Sequence, residues 1–220
     1  MNQTYKELRE DALATLLAQP DVYLLIEKVT SVLREEQLLL SNFYINNLSG
    51  KRSEFINGSI IPISLSALQE EVCLMLGRLL DEFITDISTN FLVFNTMVAF
   101  GRNCYQPNIS FYRKDKIFSI ETLPVLPPPN LVVEVLGPST QLSNRIIKFI
   151  DYQAHKVEEY WIVDPQNHTI EQYHLVEGEY VLILKSSQGF VESFVINGFK
   201  IPVVAIFSEA ENLKALQNLL

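Results

Sequence analysis

Apolar residues recur at helical spacing through the first part of the chain. Tyr5, Leu8, Ala12, Leu16 and Leu17 form one stripe that stops before Pro20. Val22, Leu25, Ile26, Val29 and Val32-Leu33 form a second. Both predict helices, either an arm that packs on the domain or an oligomerisation surface. Glu54-Phe55-Ile56, Asn57-Gly58 and Ser59-Ile60-Ile61 predict a hairpin, because Asn-Gly tolerates the positive φ angles of a two-residue turn. Ser64 or Ser66 can cap the long helix that follows. Glu70 and Glu71 then lie in its opening turns, where negative charge suits the helix dipole. Leu65, Leu68, Val72, Leu76, Leu79, Leu80 and Phe83 make its expected buried stripe.

Beyond this helix the period shortens. Phe91 to Phe100 reads as strand, as does Ile109-Ser110-Phe111-Tyr112, and Pro127-Pro128-Pro129 is an extended spacer. Leu131 to Leu136 is apolar on both faces, as a central strand is. Gly137-Pro138-Ser139-Thr140 breaks it and opens a helix to about Lys156. Tyr160-Trp161-Ile162-Val163 is the next strand. Asp164 to Asn167 turns it into Thr169 to Tyr173, another hairpin turns at Glu177-Gly178, and a short helix starts near Ser208. The pattern is α/β: a mixed central sheet with a helix on each side, a hairpin-rich end and an N-terminal helical extension. Residues 1–50 read as the arm and 51–220 as the main domain.

The chain has 220 residues, 48% hydrophobic and 20% charged, which fits one domain with an extension and excludes a disordered or low-complexity protein. No apolar run reaches the roughly 20 residues of a membrane span. The first residues, Met1 to Glu7, lack the apolar core of a signal peptide. Cys73 and Cys104 are the only cysteines and read as reduced thiols, so a cytoplasmic protein is expected. Net charge is −9, which argues against coating nucleic acid by bulk electrostatics. The charge is uneven, however. Between Gly101 and Lys156 seven basic residues face four acidic ones, so this segment is +3 and the rest −12. A polyanion would meet the chain there.

Glu134 is the residue that most needs explaining. Its neighbours Val132, Val133, Val135 and Leu136 are apolar, and an unpaired buried carboxylate costs several kcal/mol or stays protonated. A metal ion or a lysine would compensate it; so would a strand-end position in solvent or an arginine. Lys148 is the candidate partner, either meeting Glu134 or running out along its helix to solvent. The three histidines, His155, His168 and His174, lack metal-site spacing, and neither cysteine has a nearby histidine to make a thiolate nucleophile. Ser139 has no nucleophile-elbow context, and no phosphate-binding glycine motif is present.

Pro107-Asn108-Ile109-Ser110, the run Asn130 to Thr140, Lys148, Tyr152 and Glu159 to Pro165 together resemble the PD-(D/E)XK nuclease superfamily, and more narrowly its Uma family of restriction-endonuclease-like proteins. The resemblance runs from about Glu54 to Phe207. It implies a restriction-endonuclease-like fold and Mg²⁺- or Mn²⁺-dependent phosphodiester hydrolysis in DNA. Position 136, where an E-x-K motif has lysine, is Leu136, so Lys148 takes that role. By this likeness Glu134 and the Val135 carbonyl hold the cation, with position 108 as a further ligand, and Lys148 assists the attacking water. The family's aspartate is Asn108 here. Its acidic residue four before the lysine is Asn144, and its histidine is missing from Ser66 to Glu70. These exchanges imply a weakened or lost activity unless Glu54 or Asp115 substitutes. Arg113, Lys114 and Lys116 would contact phosphates, and a homodimer is expected. The alternative is a non-catalytic DNA-binding or structural protein that keeps the fold.

Overall fold

The computed structural model describes residues 5–47, 52–85, 90–116, 125–137 and 144–219. Two helices, α1 (Tyr5–Leu17) and α2 (Val22–Asn47), open the chain. Most of α2 is exposed, but Leu40 and Phe43 are buried against Phe55, Met97 and Cys104. The hairpin forms as expected: β1 (Ser53–Ile56) pairs with β2 (Ser59–Pro62), and Asn57 and Gly58 take φ of 49° and 81°. Helix α3 (Ala67–Thr85) follows. Its cap is Ser66, whose Oγ accepts the Gln69 N–H at 3.3 Å while Gln69 Oε1 accepts the Ser66 N–H at 3.0 Å, a reciprocal capping box. Val72, Leu76, Leu79 and Leu80 are buried, whereas Leu68 is exposed and Gln69 takes the inward place.

The expected strand from Phe91 to Phe100 is two strands in two sheets. Strand β3 (Asn90–Phe94) ends where Asn95 turns left-handed at φ 48°, and β4 (Val98–Phe100) starts anew. A strand absent from the sequence reading, β5 (Asn103–Tyr105), pairs with both β4 and β1, giving the order β2-β1-β5-β4. The main sheet comprises β3, β6 (Ile109–Arg113), β7 (Leu131–Val135), β8 (Glu159–Asp164), β9 (Thr169–Val176) and β10 (Glu179–Ser186), in the order β10-β9-β8-β7-β6-β3. Only β7 and β8 run parallel, joined by a crossover that carries the second helical segment. That segment begins as a π-helical turn, Asn144–Lys148, and continues as α4 (Phe149–Ala154). The expected cap at Pro138-Ser139-Thr140 and the Asn144 side chain lie outside the described residues. A small sheet of β11 (Phe190–Glu192) and β12 (Lys200–Pro202) and the helix α5 (Glu209–Leu219) complete the chain.

Two cores lie on opposite faces of the main sheet. Leu131, Val133 and Val135 pack toward α3 with Leu76, Leu79 and Trp161. Val132 and Leu136 face the other way, toward Phe100, Tyr105, Tyr152 and Tyr160. The period-2 alternation therefore sends Glu134 to this second, aromatic face. His168 lies in a turn at φ 51° rather than on a strand with His174; the two rings stack on Phe207 and Phe194.

Glu159 clasps the C-terminal part to the sheet. Its fully buried carboxylate accepts from Trp161 Nε1 and Gln172 Nε2 at 2.6 Å, from Ser193 Oγ at 2.7 Å, and from the N–H groups of Phe194 and Val195 at 3.0 and 3.1 Å. Burial raises this carboxyl above its usual range, and the hydrogen bonds from Ser193, Gln172, Trp161 and the Val195 N–H oppose that rise. Glu159→Gln replaces one acceptor oxygen by an NH₂ that confronts donors. Its expected cost is about 2 kcal/mol, read as a fall of the thermal midpoint by roughly 4–8 °C.

Candidate active site

The end of β7, the hairpin strand β1 and the π-helical turn bring three charged side chains together. Lys148 Nζ lies 2.7 Å from Glu54 Oε1 and 2.9 Å from Glu134 Oε1. All three residues are buried, so Lys148 is neither a surface lysine nor solvated along its helix. Tyr152, one turn further on, donates its hydroxyl to Glu134 Oε1 at 2.6 Å. The Tyr105 ring lies 5.4 Å from the ammonium, within cation–π range. A π-helical turn shifts the side-chain phase of a helix, and such turns recur at functional sites.

Two carboxylates thus face one ammonium, which leaves one negative charge uncompensated in a buried cluster. Burial raises the Glu134 carboxyl, and the charge of Glu54 adds to the rise against the pull of Lys148. For Lys148 burial acts downward, but the two carboxylates win and its pKa is raised. Burial, then the Glu134 charge, lifts the Tyr152 hydroxyl well above its ordinary value, so it remains a donor. Glu54 Oε1 is occupied by Lys148 and by the Gln106 N–H at 3.0 Å. The second oxygen, Oε2, of neither carboxylate accepts a hydrogen bond from the described residues.

A cavity of about 20 Å³, room for a single water-sized sphere, adjoins this cluster and is lined by Arg52, Glu54, Gln106, Asn108, Glu134 and Lys148 among others. Gln106, which lines the cavity, has a buried Oε1 with no hydrogen-bond partner among the described residues. A buried orphan acceptor beside two carboxylates of net negative charge is an oxygen donor set suited to a hard cation. Among the described residues no three His, Cys, Asp or Glu side chains gather as a metal cage. The oxygen donors lining the cavity are therefore two carboxylates, Glu54 and Glu134, together with side-chain amides such as Gln106, not a triple of carboxylates.

The two other ligands implied by the resemblance each accept one hydrogen bond within the chain. Asn108 lies beside the cluster, but its only side-chain oxygen accepts the Val135 N–H at 2.8 Å. Its remaining terminal group is an amide NH₂, which donates and does not ligate cations. The Val135 carbonyl accepts Gln69 Nε2 at 3.0 Å. Gly137 makes room for this contact, because a Cβ there would fall 2.4 Å from Gln69 Oε1.

The remaining predicted residues lie elsewhere. Arg113 is at the opposite end of β6 from Asn108, roughly 16 Å along the strand, and pairs with Glu158. Lys116 Nζ donates to the Pro129 carbonyl at 3.0 Å, and Lys114 and Asp115 sit in an exposed turn. None of the four lines the cavity. Strand direction carries these basic residues away from the cavity, so any phosphate they meet lies further along a nucleic acid than the one at the cluster. The positive middle segment is also partly neutralised, since Arg102 pairs with Glu36, Arg113 with Glu158, and Lys148 is buried. Burial pushes the Cys73 and Cys104 thiols up to about 12, so neither is a thiolate. Sequence reading missed Gln69, Gln106 and Arg52. Only Gln69 left a trace, as the fourth position of the Ser66-x-x-Gln69 capping box.

A family model described as "Uma2: Putative restriction endonuclease" matches residues 35–203. A crystal structure described as "a putative nuclease belonging to DUF820 from Anabaena variabilis ATCC 29413" superposes with a TM-score of 0.62 at 16% identity, covering 74% of this chain and 90% of that one. At this identity the likeness shows the fold. No curated protein matches in sequence. No helix among the described residues is long and apolar enough to cross a membrane.

Proposed function

Because the chain belongs to the Uma2 family of restriction-endonuclease-like proteins, we propose that it is a divalent-cation-dependent phosphodiesterase acting on DNA, with a site one anionic ligand short. The observation that carries this reading is the ammonium of Lys148 held between Glu54 and Glu134 beside a cavity of single-ion size. Mg²⁺ or Mn²⁺ would be held by Glu54, Glu134 and Gln106 Oε1, and supplies charge neutralisation at the phosphate and a lowered pKa for water.

The chain's own groups do the rest. Lys148, kept charged by its two carboxylates, donates hydrogen bonds toward an anionic phosphate oxygen or an attacking water at the cavity. Tyr152 fixes the Glu134 carboxylate by occupying Oε1, which leaves Oε2 for the cavity. Gln69 and Asn108 tie Val135, and with it the end of β7, into place through both its peptide groups. Glu54 stands beside Glu134 as a second carboxylate, and Asn108, at the position of the family's aspartate, adds no third. The same geometry without a bound cation serves a DNA-binding module that does not cut, and the test separates the two.

The test is nicking of supercoiled plasmid in Mn²⁺, with the parent compared to Glu134→Gln. The expected result is slow conversion by the parent and a loss of at least about 100-fold in the variant. Equal rates would show that Glu134 does not carry the cutting and would overturn this site, whereas no conversion together with salt-dependent DNA binding would place the protein among non-cutting binders.

A further inference from the structure

Two cavities meet at Arg52. The inner one adjoins the Glu54–Lys148–Glu134 cluster; the outer is a cleft of about 260 Å³ lined by Arg52, Leu65, Glu70, Leu74, Phe94 and Asn95. Arg52, Leu65 and Asn95 line both, so a molecule held in the cleft abuts the cluster. Phe94 is an exposed aromatic residue at the end of β3. Its ring is seated against α3 at Gly77, where a Cβ would fall 2.7 Å from Phe94 Cε1. Glycine inside a helix is destabilising relative to alanine, so this position trades helix stability for the seat of a ring at the mouth of the site. Asn95 is left-handed at φ 48°, and its N–H reaches the carbonyls of Pro107 and Asn108 at 3.1 and 3.3 Å. The cleft is thereby anchored to the residue beside the cluster. Arg52 is exposed and makes no ion pair among the described residues.

We propose that this cleft holds one unstacked nucleotide next to the scissile phosphate. The base stacks on Phe94, Asn95 and Glu70 meet its polar edge, and the phosphate lies on Arg52. The inference rests on the nuclease reading and adds that the DNA strand is unpaired at this point. A base within a duplex has both faces stacked and offers neither to a side chain until it is extruded. Glu70 repels a phosphate but accepts from the exocyclic amino group of cytosine or adenine, which orients the nucleotide with its phosphate toward Arg52.

The experiment is fluorescence anisotropy with a short labelled DNA, offered as a single strand and as the blunt duplex of the same sequence, in chelator so that nothing is cut. The single strand is expected to bind more tightly than the duplex. Phe94→Leu, which keeps an apolar contact but removes the stacking face, should weaken single-strand binding roughly tenfold and leave the duplex unchanged. Gly77→Ala, which displaces the ring, should give the same loss. Arg52→Gln should lower the salt slope for the single strand by about 0.7. A duplex bound as tightly as the single strand, no binding of the single strand, or unaltered affinity in Phe94→Leu would each overturn the proposal. If Phe94→Leu is unaltered while Glu134→Gln abolishes nicking, the subsite fails and the nuclease reading stands. Intact stacking behaviour without any nicking does the reverse.

Discussion

Asn108→Asp is expected to lower the melting temperature of the metal-free protein and to raise the gain that Mn²⁺ confers. The cluster already holds two carboxylates against one ammonium. A third carboxylate beside them adds like charge in a buried place, at a cost of about 2–3 kcal/mol, or roughly 5–10 °C for a chain of this size. The same charge attracts a dication. Asn108 offers one neutral oxygen, which already accepts the Val135 N–H; aspartate keeps that bond and brings a second oxygen and a negative charge. Mn²⁺ should bind at least about tenfold more tightly, since even at an effective dielectric of about 20 a close charge–dication contact is worth several kcal/mol. Calorimetric melting with and without Mn²⁺ reads both effects. The metal-free penalty should shrink as pH falls, because the raised Glu134 carboxyl takes up its proton in the folded state first. An unchanged melting temperature together with an unchanged Mn²⁺ response would show that position 108 is out of the cluster's reach.

Lys148→Met is expected to destabilise the fold by about 3–5 kcal/mol near neutral pH, roughly 10 °C or more in melting temperature. Methionine fills the stem but leaves Glu54 and Glu134 buried without their cation. The pH dependence carries a sign. In the parent, Lys148 has a raised pKa, so its contribution is fully present below the ordinary lysine value and is lost only as pH rises through the raised one. Glu134 is also raised, so stability grows as pH falls from its raised value to the ordinary carboxylate range and is unchanged by this group below it. Without the ammonium, which pulls Glu134 down, its carboxyl rises further. The variant's deficit should therefore be larger at pH 8 than at pH 5. Denaturant unfolding at the two pH values measures this, and a deficit independent of pH would mean that the ammonium is not what compensates the carboxylates.

Much of the fold was legible because the relevant physics is local. Asn57-Gly58 and Glu177-Gly178 both take the positive φ angles that their turn chemistry allows. The apolar run of Leu131 to Leu136 is central in the main sheet. The break at Asn95 was not legible, since Phe91 to Phe100 keeps its apolar character across it, and only the second sheet separates β3 from β4. Leu68 and Gln69 exchanged places because a buried amide is stabilised by a distant partner, the Val135 carbonyl, which spacing along the chain does not reveal.

For the site, Glu134 and Lys148 were legible as an unexplained acid and a candidate base, and the structure brings them together. Glu54, foreseen only as one of two substitutes, joins them because the hairpin folds over the aromatic face. Asp115 does not, and Arg113, Lys114 and Lys116 sit at the far end of their strand. Arg52, Gln69 and Gln106 went unnoticed because an arginine before a hairpin and two neutral amides carry no signal until their neighbours in space are known.

The central claim is that Glu54, Glu134 and Lys148 form a cation-dependent hydrolytic site that lacks one charge at position 108. The most direct measurement is Mn²⁺-dependent nicking of supercoiled plasmid by the parent, by Asn108→Asp and by the double variant Asn108→Asp, Glu134→Gln. The account predicts that the single variant nicks faster than the parent and that the double variant falls to background. A single variant no faster than the parent, or a double variant that still cuts, would contradict it.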